Sequence, residues 1–363
     1  MAVYGGEIAR RCLYDGKMQS PQGSDGRRIS RITMADIAAA ADADVSTVSR
    51  TLSRERDSIR TKKGKRIWEI ADELGYSPNL TASSLRTNTT KLIAVFVPRL
   101  RDEVLALMYE GIEEELQKHG YQCMVLSTGD DPDVQLAKLD VAIQRGVDGI
   151  LFGDAMVGSK VLPKVKKAGI PYLLFNRPLE GHRSVTCDDF GGGVLAAKHL
   201  MELTDGPLVV YKAMDYAMNL VHRSAGFLQT VREHGRIAVD GFHLNGGIYA
   251  EDGMRAAREM VAESRAPFGA FVVNDTAGIG ALGEFTRSGL KPGDDVYVVG
   301  FNDISLAKAT PIALTTIVSP TRELGHLAAS SLLTIIGGGD PESVQLPVEL
   351  VVRESSTPLA KQS

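Results

Sequence analysis

The run Leu92-Ile93-Ala94-Val95-Phe96-Val97 is apolar at every position, with no polar residue alternating in, and it constrains this chain more than any other stretch. A strand of that kind is buried on both faces, which is the pattern of a parallel sheet covered by helices on each side. Parallel neighbours need long crossovers, so helices should follow. Residues 103–119 read as an amphipathic helix ended by Gly120, Cys123-Met124-Val125-Leu126 as a strand, and 131–144 as a second helix. Strands Gly149-Ile150-Leu151-Phe152 and Tyr172-Leu173-Leu174-Phe175 then flank a helix over 159–168. The cycle restarts with Leu208-Val209-Val210-Tyr211, a helix over 224–234, a strand near Phe242 and a helix over 251–264. It closes with Ala270-Phe271-Val272-Val273, a helix over 279–288 and Val296-Tyr297-Val298-Val299. Two such series predict an α/β body of two Rossmann-like lobes, with crossovers near 188–193 and 315–320. Open sheets bind ligands beyond the carboxyl ends of their strands, so the cleft between the lobes is the expected ligand site.

Ahead of that body the period changes. Met34, Ile37 and Ala38 give one short helix an apolar stripe, Val45, Val48 and Leu52 give another, and residues 41–43 make the corner between them. This is the outline of an all-α helix-turn-helix head. Asp44 stands where it can cap the second helix. The exposed face carries Ser46, Thr47, Ser49 and Arg50, hydroxyls and a guanidinium that suit phosphate oxygens and a guanine edge. Charge agrees. The chain's net −4 splits into +5 over 27–91, balance over 1–26 and −9 over 92–363. A basic head on an acidic body fits a DNA-binding module joined to a separate ligand domain.

Four blocks, in order and spacing, resemble the LacI/GalR family of transcriptional regulators. They are Thr33-Met34-Ala35-Asp36-Ile37-Ala38, Thr47-Val48-Ser49-Arg50, Leu74-Gly75-Tyr76-Ser77-Pro78-Asn79 and Ala82-Ser83-Ser84-Leu85-Arg86-Thr87. The resemblance implies base reading by Val45, Ser46 and Arg50, with Thr33, Thr47 and Ser49 on phosphates. It also implies a hinge helix from Asn79 to Thr87 that folds on operator DNA, with Asn79, Ala82 and Arg86 at the DNA and Leu85 wedged into the minor groove. Further along, the segments around Arg223, Asn274-Asp275 and Val299-Gly300-Phe301-Asn302-Asp303 resemble the family's effector domain, which is similar to periplasmic sugar-binding proteins. By position, Asp102, Asn176, Arg223, Asn274 and Asn302 are then implied to face the cleft. Asn176 and Asn302 stand where the family more often has Asp, and each exchanges a pure acceptor for a group that also donates, which better tolerates an anionic ligand group. The implied layout is a disordered N-terminal arm over 1–28, a DNA-binding domain over 29–78, a hinge over 79–90, and a ligand-binding and dimerisation domain over 91–363. The implied protein is a homodimeric regulator, most simply a repressor, with double-stranded operator DNA and a small sugar-like effector as partners.

Other classes find less support. Cys12, Cys123 and Cys187 have neither pairing number nor metal spacing, so no disulfide framework and no metal site are expected. No apolar run follows Arg10-Arg11 and none reaches membrane-spanning length, so a cytoplasmic protein without membrane partners is expected. The triplets at 191–193 and 337–339 and Gly278-Ile279-Gly280 complete neither a dinucleotide fingerprint nor a P-loop, and close packing explains them more simply. Seven histidines show no ligand spacing and no nucleophile elbow is visible. Neither catalytic residues nor a cofactor are therefore expected. An α/β enzyme, or a sugar-binding receptor with an appended head, is the alternative. The final residues 359–363 hold no heptad run, so no tetramerising coiled coil is expected.

Overall fold

The computed structural model describes residues 32–53, 56–76, 89–239, 243–244, 247–263 and 266–357. It divides into two units, residues 1–86 and 87–363. The arm over 1–28, the linker positions Asn79, Ala82, Leu85 and Arg86, and the strand expected near Phe242 lie outside the described residues.

The first unit is built on α1 (Met34–Ala40), α2 (Val45–Leu52) and α3 (Lys62–Glu73). Ile37, Val48 and Ile67, one from each helix, are fully buried and make its centre. A capping box starts α1: the Thr33 hydroxyl accepts from the Asp36 N–H at 3.4 Å, and the Asp36 carboxylate accepts from the Thr33 N–H at 2.8 Å. Those bonds from the Thr33 backbone and side chain hold the Asp36 carboxyl below its ordinary range. The corner before α2 turns at Asp42, whose φ of 47° is a left-handed conformation that Asp tolerates. Two expectations change here. Val45 is 49% exposed and so does not join the buried stripe: it shares the helix face of Val48 and Leu52 but is the first residue of α2, at the end of that face. Asp44 occupies the N-cap position of α2, but its side chain accepts no capping bond.

The second unit holds two six-stranded sheets. The first contains β1 (Leu92–Val97), β2 (Gln122–Ser127), β3 (Gly149–Phe152), β4 (Tyr172–Phe175), β5 (Ser184–Cys187) and β11 (Val344–Leu346). The second contains β6 (Leu208–Tyr211), β7 (Ala238–Val239), β8 (Phe268–Val272), β9 (Val296–Asn302), β10 (Thr315–Val318) and β12 (Glu349–Val351). Their orders are β11-β5-β4-β3-β1-β2 and β12-β10-β9-β8-β6-β7, the same arrangement made twice. All described pairings are parallel except β10 with β12. In each sheet the order reverses beside the first strand of the series, β1 or β6, which opens a crevice at the carboxyl edge. Both crevices face the space between the lobes.

The helices are α4 (Glu103–Lys118), α5 (Pro132–Gln144), α6 (Val161–Lys167), α7 (Asp189–Leu203), α8 (Met218–Glu233), α9 (Ala250–Glu263), α10 (Asp275–Arg287) and α11 (Thr321–Ile336). α7 packs on the second sheet, so the crossing expected over 188–193 narrows to Asp188 and the glycines at 191–193 lie within a helix. α11 returns to pack on α4 and the first sheet, after a crossing at 319–320. A third crossing at 347–348, absent from the sequence reading, carries the chain from β11 to β12. Glycine makes the tightest helix contacts possible. A Cβ on Gly193 of α7 would lie 2.1 Å from the Arg223 carbonyl oxygen of α8, and one on Gly325 of α11 would lie 2.1 Å from that of Met108 on α4. α8 and α10 each begin before the expected 224 and 279, at Met218 and Asp275, so both reach the cleft with their amino ends.

Candidate functional site

The head offers one polar surface. On α2, Ser46 and Arg50 are exposed on the face opposite Val48 and Leu52, Thr47 and Ser49 are half-buried on its flanks, and Val45 is exposed in the first turn. Arg50 Nε donates to the Ser46 carbonyl at 3.4 Å, one turn back, which steadies the guanidinium along the helix. Thr33 is exposed, but its hydroxyl donates to the Asp36 carboxylate at 2.7 Å, so a phosphate must compete for that hydrogen. Lys62, Lys63 and Lys65 are exposed on the first turn of α3, where the helix dipole adds to their attraction for anions.

The five cleft residues named from the sequence line one narrow cavity of the second unit. Each is held by its element. Asp102 caps α4, accepting from the Val104 N–H at 3.1 Å. Burial pushes its carboxyl up, while Arg99, the Val104 bond, Arg223 and Arg177 pull it back. Asn274 caps α10 through the Ala277 N–H at 3.0 Å, which leaves its amide hydrogens to the cavity. Asn176 follows β4 with φ 64°, and Asn302 ends β9 with φ 112°. Backbone held in such regions is strained and collects at functional sites. Arg223 on α8 is 2% exposed. Its Nε donates to Asp189 Oδ1 at 2.8 Å, its Nη1 to the Val273 carbonyl at 2.8 Å, and its guanidinium lies 3.6 Å from the centre of the Phe301 ring. Burial raises the Asp189 carboxyl and Arg223 offsets it, as a buried charge requires a partner.

Sequence reasoning missed Arg99, Arg177, Asn219, Met214, Leu220 and Ile248, which also line the cavity. Arg99 and Arg177 share one carboxylate. Asp130 accepts from Arg99 Nη2 at 2.5 Å and from Arg177 Nη1 and Nη2 at 2.6 and 3.2 Å. A signal was present: Arg99 comes two residues after β1 and Arg177 two after β4, at the strand ends that face ligands in open sheets.

Polar contacts join the two lobes around this cavity. Asn219 Nδ2 donates to Asn176 Oδ1 at 3.3 Å, Tyr216 OH to Asp130 Oδ2 at 3.4 Å, and Arg101 Nε to Tyr249 OH at 3.0 Å. On the far side, the N–H and hydroxyl of Ser305 donate to Glu103 at 2.8 and 3.0 Å. Behind the cavity wall, Asp275 accepts from Thr316 Oγ1 at 2.6 Å and from the Ile304 N–H at 3.0 Å, and burial pushes it up to about 6. Among the described residues no cluster of acids, histidines or cysteines could hold a metal ion. No described helix is long and apolar enough to cross a membrane.

Known proteins share both halves of this design. The family described as bacterial regulatory proteins, lacI family, matches residues 33–79, and a periplasmic binding protein-like domain matches 215–356. The chain is thus similar to regulators of the lacI family over both its head and its body. It is 28% identical over 340 residues to the HTH-type transcriptional regulator DegA of Bacillus subtilis, covering 91% of this chain and 99% of that protein. It is 27% identical over 330 residues to the HTH-type transcriptional repressor PurR of Aliivibrio fischeri, covering 89% and 98%. Among solved structures, the lac repressor dimer bound to operator and the anti-inducer ONPF superposes with a TM-score of 0.81 at 22% identity, covering 90% of this chain and 99% of that one. A complex of the transcriptional regulator CelR with cellobiose gives 0.67 at 25% identity, covering 90% and 100%. With its lacI-type helix-turn-helix, the chain is a DNA-binding transcriptional regulator with a periplasmic-binding-like effector domain.

Proposed function

We propose that the protein is a homodimeric repressor whose grip on a near-palindromic operator is set by a small polar metabolite, a sugar or sugar derivative, held between its two lobes. The observation that carries this reading is the convergence of Asp102, Asn176, Arg223, Asn274 and Asn302 on one interlobe cavity, in a chain that also bears an exposed helix-turn-helix face. Val45, Ser46 and Arg50 read bases in this account, while Thr33, Thr47 and Ser49 take phosphates. Two-fold symmetry of the dimer matches two half-sites of the operator. The linker residues Asn79, Ala82, Leu85 and Arg86 carry the coupling, with Leu85 as the minor-groove wedge. The chemistry of the cleft supports a hydroxylated ligand, since amides, a carboxylate and guanidinium groups hold hydroxyls in fixed orientation. Among relatives, PurR is named a repressor, the lac repressor is described as a dimer on its operator, and CelR as bound to cellobiose.

Thermodynamics sets what the ligand must do. It shifts the equilibrium between lobe arrangements only by its differential affinity for them. The interlobe bonds of Tyr216, Asn219, Tyr249 and Ser305 are contacts that an opening of the cleft would break. The reading is tested by gel-shift of the chain on its own promoter fragment against a metabolite panel. A specific shift that one metabolite changes at least tenfold is expected. Turnover of the metabolite, or no preference for the promoter over scrambled DNA, would contradict it.

A further inference from the structure

The cavity wall is unusually rich in guanidinium groups. Arg99, Arg177 and Arg223 all line it, and among its lining residues only Asp102 bears a carboxylate. The two acids that pair with the arginines, Asp130 and Asp189, are not part of this lining, although Asp130 lines the adjoining pocket together with Arg99. All three arginines line the same cavity as Asp102, and each acts on the ionisation of that carboxyl. Each guanidinium has about five N–H donors. The bonds to Asp130, Asp189 and the Val273 carbonyl use one donor of Arg99 and two each of Arg177 and Arg223. Donors remain on each. The amino ends of α4, α8 and α10 lie at the same cavity through Asp102, Asn219 and Asn274, and their dipoles add positive potential. A second requirement comes from the amides. Asn219 and Asn302 are 6% and 7% exposed, both line the cavity, and the side-chain oxygen of each has no hydrogen-bond partner among the described residues. Such an oxygen asks for a donor on the ligand.

Resting on the effector reading above, we propose that the ligand is a hydroxylated organic anion, a small sugar or polyol carrying one carboxylate or phosphate group. Arg177 and Arg99 hold the anionic group from the first lobe with Arg223 opposite, and hydroxyls donate to the oxygens of Asn219 and Asn302. A guanidinium presents paired N–H groups that match a carboxylate or phosphate edge, so the anion is recognised by shape as well as charge. A neutral sugar would offer the remaining guanidinium N–H groups of this wall only uncharged acceptors.

The test uses the full chain at fixed ionic strength and measures thermal shift and calorimetric Kd. Aldonates and uronates such as D-gluconate and D-glucuronate form one arm, sugar phosphates such as D-glucose 6-phosphate a second, and their neutral parents, including D-glucose and sorbitol, a third. Inorganic phosphate controls for anion binding without hydroxyls. At least one acidic member should bind tenfold or more tightly than its neutral parent and than inorganic phosphate, and the arm it comes from distinguishes carboxylate from phosphate. Arg177→Gln should erase that preference while leaving Asp130 paired with Arg99. Arg99→Gln, which leaves Asp130 paired with Arg177, should do the same and covers a failure of the first variant to fold. Neutral parents binding as tightly as the acids, no acidic member binding, or a preference unchanged in both variants would overturn the proposal. Operator gel-shift on the same protein separates this from the wider reading: specific promoter binding relieved by a neutral sugar would retain the regulator and remove only the anionic class.

Discussion

The head and the cleft solve recognition in opposite ways. On α2 the side chains proposed to read bases, Val45, Ser46 and Arg50, stand exposed. In the cleft, Arg177, Arg223 and Asn274 are buried and already bonded to the protein that positions them. An exposed cation costs nothing to keep and gains its energy by releasing counterions from a polyanion. A buried one must be paired before any ligand arrives, because an unpartnered internal charge costs several kcal/mol. The head should therefore respond strongly to salt and mildly to single neutral substitutions, whereas the cleft should do the reverse.

The largest expected effect tests the head's side of that contrast. Operator affinity should fall by about a thousandfold or more between 50 and 200 mM salt if each dimer neutralises six or more phosphates. Ligand binding to the cleft, measured on the same protein, should change far less, since its charges are desolvated and poorly screened. Similar salt slopes for both would remove the distinction.

Next in size is Leu85→Ala. An apolar side chain in a polar linker pays for its place only by unstacking a central base step, and that step costs a few kcal/mol repaid by contacts the bend permits. Specific binding should weaken at least tenfold, about 1.4 kcal/mol, with non-specific binding nearly unchanged. Equal weakening on operator and scrambled DNA, or none on either, would count against the wedge.

The smallest effect sharpens the picture of the cleft's rear wall. Burial pushes Asp275 up to about 6 from an ordinary 3.8. Folded protein therefore holds this proton where unfolded chain has released it, so the contribution of Asp275 to stability is fullest below about pH 4 and is lost as pH rises through 6. The span corresponds to roughly 3 kcal/mol. Denaturant midpoints of the wild type and Asp275→Asn between pH 4 and 7 should show the variant's stability declining less as pH rises. Parallel pH profiles would show that Asp275 titrates normally.

Legibility in the sequence differed by element for physical reasons. β1, β3, β4 and β6 were readable to the residue because continuous apolar runs are bounded by polar turns. α7 was not, since three consecutive glycines look like a turn; inside the fold they let the Arg223 turn of α8 come within contact distance of Gly193. β11 and β12 have three residues each, too few for any period to show, so the third crossing escaped notice. In the cleft, positions such as Asn176 and Asn302 could be named through family resemblance. Arg99 and Arg177 could not, because a lone arginine after a strand looks solvated until β1 and β4 are placed in one sheet and Asp130 is found between the two side chains.

The central claim is that a ligand held by the cleft controls the head. Arg223→Ala alone would strand the buried Asp189 carboxylate and confuse lost function with lost stability, so the decisive protein is the double variant Arg223→Gln with Asp189→Asn. Operator gel-shift titrations of this variant and the wild type, each with and without a metabolite that the wild type answers to, measure the claim directly. The account predicts equal operator affinity without metabolite, and a response of at least tenfold in the wild type that is absent in the variant. An undiminished response in the folded variant, or loss of its operator binding, would contradict it.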